Sequence, residues 1–288
     1  MKSITLLSYI LSFGSQMKST RRFVFFLEKM YPYRFLAAKM TRVPLMREII
    51  DKMFFDQTNL TALPKDNIVE INLEKSIKPP DNIVLPSQVV EYFIRKTNYR
   101  FIMKFCLCRE AMHCKNHPIE FGCLFLGDAA RNINPDFGRE ATVDEALEYV
   151  QKCRRSGLIH LIGRDKIDET WLGVGSEGNL LTICNCCSCC CLWKILSDLD
   201  PRISAKVKRM PGVEVTVTEK CNGCGTCTEH CFVHAIMIQD GHAIIGVDCK
   251  GCGRCADRCP NNAIKVTIND EDFLQKTIDR IESSVEVV

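Results

Sequence analysis

Several features that would fix a protein's class early are missing here. No apolar run is long enough to cross a bilayer: Ile4–Phe13 falls well short of the roughly twenty residues needed. One lysine precedes that stretch and no small-residue cleavage site comes after it, so it reads as neither a span nor a signal peptide. No G-x-G-x-x-G comes after a strand pattern, which leaves a dinucleotide-binding fold unsupported. Gly173-Val-Gly175-Ser-Glu-Gly178 has the glycines without the strand–helix setting and reads as a loop presenting a run of cysteines. There is no P-loop and no Ser/His/Asp order that would suggest a hydrolase. The net charge of +3 is too small to attract nucleic acid, and the bases near the N-terminus form no recognition-helix or zinc-finger pattern. Nucleic acid is therefore not expected as a partner.

What the chain has is cysteine, 19 residues in 288. In a short secreted protein that number would suggest a disulfide framework. This chain is long, its 46% hydrophobic content allows more than one core, and its cysteines fall in metal-ligand spacings. A reducing cytoplasm, that of an anaerobe, fits such usage. Charge is uneven along the chain. Bases such as Arg21, Arg22, Lys29, Lys39 and Lys52 dominate the start, and acids such as Asp240, Asp248, Asp257, Asp270 and Asp272 dominate the end. That asymmetry suits guided docking.

Three regions are expected. Residues 1–86 read as a helical N-terminal arm and linker. Leu45, Ile49, Met53 and Phe54 recur at helical spacing and suggest an apolar face that packs on the rest of the chain, the alternative being peripheral contact with a membrane or another subunit. Prolines 64, 79, 80 and 86 mark residues 57–86 as a connector, with Ser87 capping the next helix. Residues 87–211 read as a small cysteine-rich α/β domain. There Arg100–Cys108 suggests a strand, Thr142 and Glu145 a capping box, Gly157 a helix stop and Leu158–Ile162 a short strand.

Residues 212–288 contain a repeat offset by 28 positions: Cys221-Asn-Gly-Cys224-Gly-Thr-Cys227-Thr-Glu-His-Cys231 and Cys249-Lys-Gly-Cys252-Gly-Arg-Cys255-Ala-Asp-Arg-Cys259-Pro260. An Ala-Ile pair opens a strand after each half, and Asp240-Gly241 supplies a hairpin turn between them. Three closely spaced thiolates let a loop wrap three corners of a [4Fe–4S] cube, and the fourth cysteine begins a helix that carries it away to the other cube. Paired C-x-x-C also occurs at zinc sites, but a tetrahedral zinc has no use for a third near cysteine and a distant fourth, twice over.

The repeat resembles the bacterial two-cluster ferredoxins. The resemblance implies that Cys221, Cys224, Cys227 and Cys259 hold one cluster, and Cys249, Cys252, Cys255 and Cys231 the other. Phe232 departs from the family, which usually has proline there; Pro260 keeps it in the second half. His230, His234 and His242 occupy positions with no required role.

Two further cysteine groups lie upstream, and they resemble a cysteine-rich region preceding dicluster modules in ferredoxin-like proteins of anaerobes. Cys106, Cys108, Cys114 and Cys123 suffice for one four-thiolate site. In the run Cys184–Cys191 adjacent side chains diverge, so Cys184, Cys187 and Cys190 are the candidate further ligands, unless the two groups pool into a single site. Thiolates at this density select one or more additional iron–sulfur clusters, or zinc. Arg109 and His117 are candidates for donating to a sulfide or a substrate, or are ordinary surface residues; Cys153 reads as a buried, inert thiol.

The expected fold is thus α+β, ending in a ferredoxin-like domain. The expected function is electron relay between a partner redox enzyme and a further metal centre in the middle domain. The alternative is a reductase subunit whose open-sited or non-cubane cluster, at the Cys184–Cys191 run, acts on a small substrate.

Overall fold

The computed structural model describes residues 19–71, 85–175 and 179–286. Ile4–Phe13, the Pro79-Pro80 pair and Gly178 lie outside those residues. The fold is mixed α+β. Twelve strands among the described residues are β1 (Asn59–Ala62), β2 (Val69–Ile71), β3 (Arg100–Met103), β4 (Leu124–Leu126), β5 (Gly138–Glu140), β6 (Ile159–Arg164), β7 (Leu181–Cys186), β8 (Val207–Arg209), β9 (Val213–Val217), β10 (Ile236–Gln239), β11 (His242–Ile245) and β12 (Ile264–Ile268). The helices are α1 (Arg21–Met30), α2 (Arg34–Met40), α3 (Pro44–Ile50), α4 (Ser87–Lys96), α5 (Leu107–Ala111), α6 (Val143–Arg155), α7 (Lys166–Leu172), α8 (Pro201–Ser204), α9 (Thr226–His230), α10 (Arg254–Asp257) and α11 (Phe273–Glu282).

Seven strands make the central sheet in the order β5-β3-β4-β7-β6-β1-β8; every neighbouring pair is antiparallel except β1 and β8. All six residues of β7 are buried, so it reads as an apolar run rather than an alternating one. The two-residue period still sorts its side chains. Leu181 and Ile183 face a core shared with Val89, Phe93 and Val150 of α4 and α6, while Cys184 and Cys186 face the opposite core, with Leu60, Leu161 and Trp193. β4 divides likewise, Leu124 and Leu126 on the helical face and Phe125 on the other. One face of the sheet therefore carries aliphatic packing, and the other delivers thiols.

The capping box expected at α6 is present: the Thr142 hydroxyl accepts from the Glu145 N–H and the Glu145 carboxylate accepts from the Thr142 N–H. Such a box stabilises a helix start by about 1 kcal/mol. Gly157 comes after the helix at φ +78°. The strand foreseen over Leu158–Ile162 runs over Ile159–Arg164, and that foreseen over Arg100–Cys108 stops at Met103, before α5. Ser87 differs from the expectation. It is the first helical residue of α4, and the donor it leaves open is satisfied by the Asp66 carboxylate, which accepts from its N–H at 3.0 Å.

The segment read as a connector does more than connect. β1 enters the central sheet between β6 and β8, and β2 pairs in parallel with β12 at the edge of a second, three-stranded sheet of order β2-β12-β9. Lys65, between them, reaches the Asp257 carboxylate on α10.

α1–α3 lie over the thiol face of the sheet. Their inward residues are Val24, Tyr31, Ala38 and, just beyond α3, Phe55. The arm does not pack through the residues its spacing suggested: Leu45 is 69% and Ile49 42% exposed. The helices are short and joined by tight turns, so each presents its own small inward face instead of extending one long stripe. Phe23, Phe25, Phe26, Tyr33 and Leu36 are also exposed, interspersed with exposed Arg22, Lys29, Lys39 and Lys52. No helix among the described residues is long and apolar enough to cross a membrane.

Candidate metal centres

The two C-terminal repeats fold alike. Gly223 and Gly225 sit at φ +67° and +81°, and Gly251 and Gly253 at +69° and +78°. A Cβ on Gly223 would stand 2.5 Å from the carbonyl oxygen of Gly241, so only glycine lets this loop close. Short helices α9 and α10 then carry Cys227 and Cys255. Asp240 and Gly241, both at positive φ, turn β10 into β11 with Gln239 opposite His242, a two-residue hairpin loop.

Cys221, Cys224, Cys227 and Cys259 line one cavity, together with Ala243 and Ile264. The last cysteine of the second repeat thus joins the first three of the first. N–H groups point at the sulfurs: Ala243 to Cys221 at 3.3 Å and Ala263 to Cys259 at 3.3 Å. In the reciprocal set the donors are Ala235 to Cys231 at 3.2 Å and Gly251 to Cys249 at 3.4 Å. Burial raises the Cys255 thiol, and the nearby charges of Cys252, Cys249 and Cys231 raise it further. Donors aimed at sulfur and loops that tolerate no side chain are what a thiolate-bound cubane requires, and both quartets fit one.

The upstream cysteines gather at two places, divided otherwise than their order in the chain suggests. Cys106, Cys108 and Cys123 meet Cys184, Cys186 and Cys191 around a buried cavity of about 70 Å³, which Cys187 (shared with the second group), Tyr31, Trp171, Trp193, Asp165 and Asp168 also line. The Cys123 and Cys184 sulfurs are 4.0 Å apart. Hydrogen bonds from Cys184 and Cys191 hold the Cys186 thiol well below its ordinary value, despite burial, with Arg254 and Arg109 adding to the effect. Cys114 leaves its sequence neighbours and joins Cys187, Cys189 and Cys190. Cys187 and Cys190 likewise part from Cys184, because Cys184 and Cys186 share the face of β7 while the chain turns directly after it.

Residues 220–264 match the 4Fe–4S dicluster domain family. No curated protein and no solved structure matches the chain. The chain therefore carries a ferredoxin-type iron–sulfur module, and the cysteine-rich region ahead of the dicluster domain has no counterpart among those comparisons.

Two arginines connect these places. Arg109 is fully buried, so it is not a surface residue; its guanidinium donates to the carbonyls of Pro118 at 2.8 Å, Asn185 at 2.8 Å and Phe121. Burial opposes its charge, yet the Cys106, Cys187 and Cys123 thiols raise its pKa above the ordinary guanidinium value. Arg254, in the second dicluster repeat, donates to the carbonyl of Cys186 and lies 5.5 Å over the Phe232 ring. Phe232 itself is buried among Cys184, Cys186, Cys191 and Trp193, with Cys231, Cys249 and Cys252 against the same core. The departure from proline thus adds a ring to the core that cysteines of the second quartet and of the six-cysteine cavity share.

His117 is half-buried, with burial and the positive charges of Arg254 and Arg109 lowering its pKa. His234 and His242 are exposed. Cys153 is buried beside Cys187 and Cys190, and burial pushes its thiol up to about 12.

Tyr31, Asp165 and Asp168 escape a reading of motifs. The Tyr31 hydroxyl donates to the Cys190 carbonyl at 2.8 Å. Asp168 accepts from Trp171 Nε1 at 2.7 Å and Thr182 Oγ1 at 3.0 Å, and burial pushes its carboxyl up to about 6. Asp165, Asp168 and Cys184 present their ligand atoms within 4.8 Å of one another. An acid pair beside thiols can take up a proton when negative charge is added there.

Proposed function

We propose that this chain is an electron-transfer protein that carries electrons between a redox partner and a third centre held in the six-cysteine cavity. The observation that carries the reading is the shared core, in which Phe232 lies with Cys184, Cys186 and Cys191 while Cys231, Cys249 and Cys252 pack against it, together with the Arg254 bond to the Cys186 carbonyl. Cys221, Cys224, Cys227 and Cys259 would hold one cubane and Cys231, Cys249, Cys252 and Cys255 the other; when bound, these groups supply one-electron redox chemistry. The N–H groups on the sulfurs would set the charge balance at each quartet, and buried Phe232 would keep the core that the second quartet shares with the cavity apolar.

The partner is assigned to the opposite end of the dicluster module. Among the described residues Cys224 is the only exposed cysteine, and Glu219, Glu229 and Asp240 are exposed in the same module. A partner with a basic rim suits that surface, with association weakening as salt rises. The outer face of α1–α3, where exposed aromatics alternate with lysine and arginine, is assigned to an anionic lipid surface.

The test is stepwise reduction of the anaerobically purified chain with dithionite, with EPR at each step. Signals from the dicluster module and a third, distinct signal are expected, the third lost in Cys184→Ser with about eight irons per chain retained. Loss of no signal in that variant would overturn the reading.

The reductase reading keeps one observation in its favour. Six thiolates exceed the four corners of a cubane, so a larger cluster would use them all. A third signal that shifts on adding a small reducible substrate would select this reading over simple relay.

A further inference from the structure

Cys114, Cys189 and Cys190 lie outside the six-cysteine cavity and the dicluster quartets, and Cys187, which borders that cavity, groups with them. Cys114 lies just after α5, and Cys187, Cys189 and Cys190 lie in the turn after β7. Their four sulfurs all lie within 4.8 Å of one another, with Cys114 and Cys189 at 3.5 Å and Cys189 and Cys190 at 3.6 Å. Those separations are far beyond a disulfide, whose sulfurs bond at about 2.05 Å. They are too short for a cubane, where each thiolate sits on a different iron and the sulfurs are driven apart. A single ion with four thiolates at about 2.3 Å places its sulfurs roughly 3.8 Å apart by tetrahedral geometry.

We propose that Cys114, Cys187, Cys189 and Cys190 bind one zinc ion in a closed structural site, separate from the iron–sulfur chemistry. The set is built as such sites are. The Cys190 N–H donates to the Cys187 sulfur at 3.2 Å, a bond that stabilises a metal-bound thiolate. Buried Arg109, close to Cys187, supplies positive charge against the excess of four thiolates over a divalent ion. All four positions are filled by protein, which leaves no open site for substrate. Tetrahedral thiolates hold zinc more tightly than ferrous iron, so zinc is the expected occupant where both are present. The ion would tie the loop after α5 to the turn after β7 and would hold Cys187, which also borders the six-cysteine cavity. The site stands whether or not that cavity holds a redox centre.

The test uses the full chain purified without oxygen from cells supplied with both metals. Metal analysis should give about one zinc per chain. Zinc K-edge absorption should show four sulfur neighbours at about 2.3 Å and no nitrogen or oxygen. Cys114→Ser should remove the zinc while iron and acid-labile sulfide stay at wild-type values. If that variant does not fold, cobalt substitution of the wild-type chain gives the same answer through the absorption bands of tetrahedral cobalt–thiolate. Three results would overturn the proposal: wild-type protein without zinc, a zinc edge with fewer than four sulfurs, or a Cys114→Ser chain that loses iron and keeps its zinc.

Discussion

The Arg254 guanidinium, carried between two cysteines of the second dicluster repeat, donates to the main-chain carbonyl of Cys186 on the central sheet. Both residues are buried. Replacing Arg254 with methionine keeps much of the volume and removes the donor. The expected cost is about 1.5–3 kcal/mol, the range for a hydrogen bond to a charged group. Anaerobic denaturant unfolding measures it. The EPR signal of the second quartet should also change, while that of the first quartet should not.

The two dicluster quartets differ in their surroundings, and single variants should report that difference. Cys221→Ser and Cys231→Ser should each lower the iron content by about four per chain or convert one cluster to a three-iron form. Only Cys231→Ser should alter the third signal, because only that quartet shares a core with Cys184, Cys186 and Cys191. Equal effects from both variants would remove the basis for an ordered relay. Iron analysis with EPR decides.

Phe232 is buried in the shared core, so truncation to alanine should cost about 3–5 kcal/mol. Phe232→Pro, which restores the family's residue, should destabilise the chain as well, since it removes the same ring. Chemical denaturation of the two variants should show similar midpoints, both below wild type.

Acid should weaken the fold through His160. Burial on β6 pushes its imidazole down to about 3, against an ordinary value near 6.5. The folded state then binds fewer protons than the unfolded state throughout that interval, so stability falls as pH drops below about 6.5. The slope from this one residue is at most about 1.4 kcal/mol per pH unit. Unfolding midpoints at pH 7.5 and 5.5 measure it, and His160→Leu should flatten the difference.

The exposed face of α1–α3 should bind vesicles containing phosphatidylglycerol and not vesicles of phosphatidylcholine alone. Phe25→Ser with Leu45→Ser should abolish co-sedimentation and leave iron content unchanged, as both side chains are outside the core. Binding to neither vesicle, or concentration-dependent dimerisation through this face, would count against a lipid partner.

Signals that lie close together in the chain are legible. The repeat, the Asp240-Gly241 turn and the Thr142–Glu145 box all depend on spacings of a few residues, and the structure contains each. The 4Fe–4S character of the C-terminal repeat comes from the same kind of signal. The middle cysteines are not legible in that way. Whether Cys114 joins Cys106 or Cys189 depends on how α5 and the turn after β7 meet, a contact between segments about seventy-five residues apart. Nothing local singles out Cys186 and Cys191, because a run of cysteines carries no mark of which face each occupies. The two-residue period of β7 is the available clue, pairing Cys184 with Cys186, but it requires knowing that the run begins on a strand. β1 and β2 are hidden by the prolines around them, and Leu45 and Ile49 mislead because helical spacing marks an apolar face without saying what covers it.

β2 has a bearing on how this protein can be dissected. Three residues from well before the cysteine-rich region complete the edge of the sheet that underlies the dicluster module. Excised at residue 212, that module would leave β12 with an open row of unpaired backbone groups, a template for aggregation. Residues 212–288 should therefore not behave as a detachable cassette. A soluble fragment would need Val69–Ile71 grafted back.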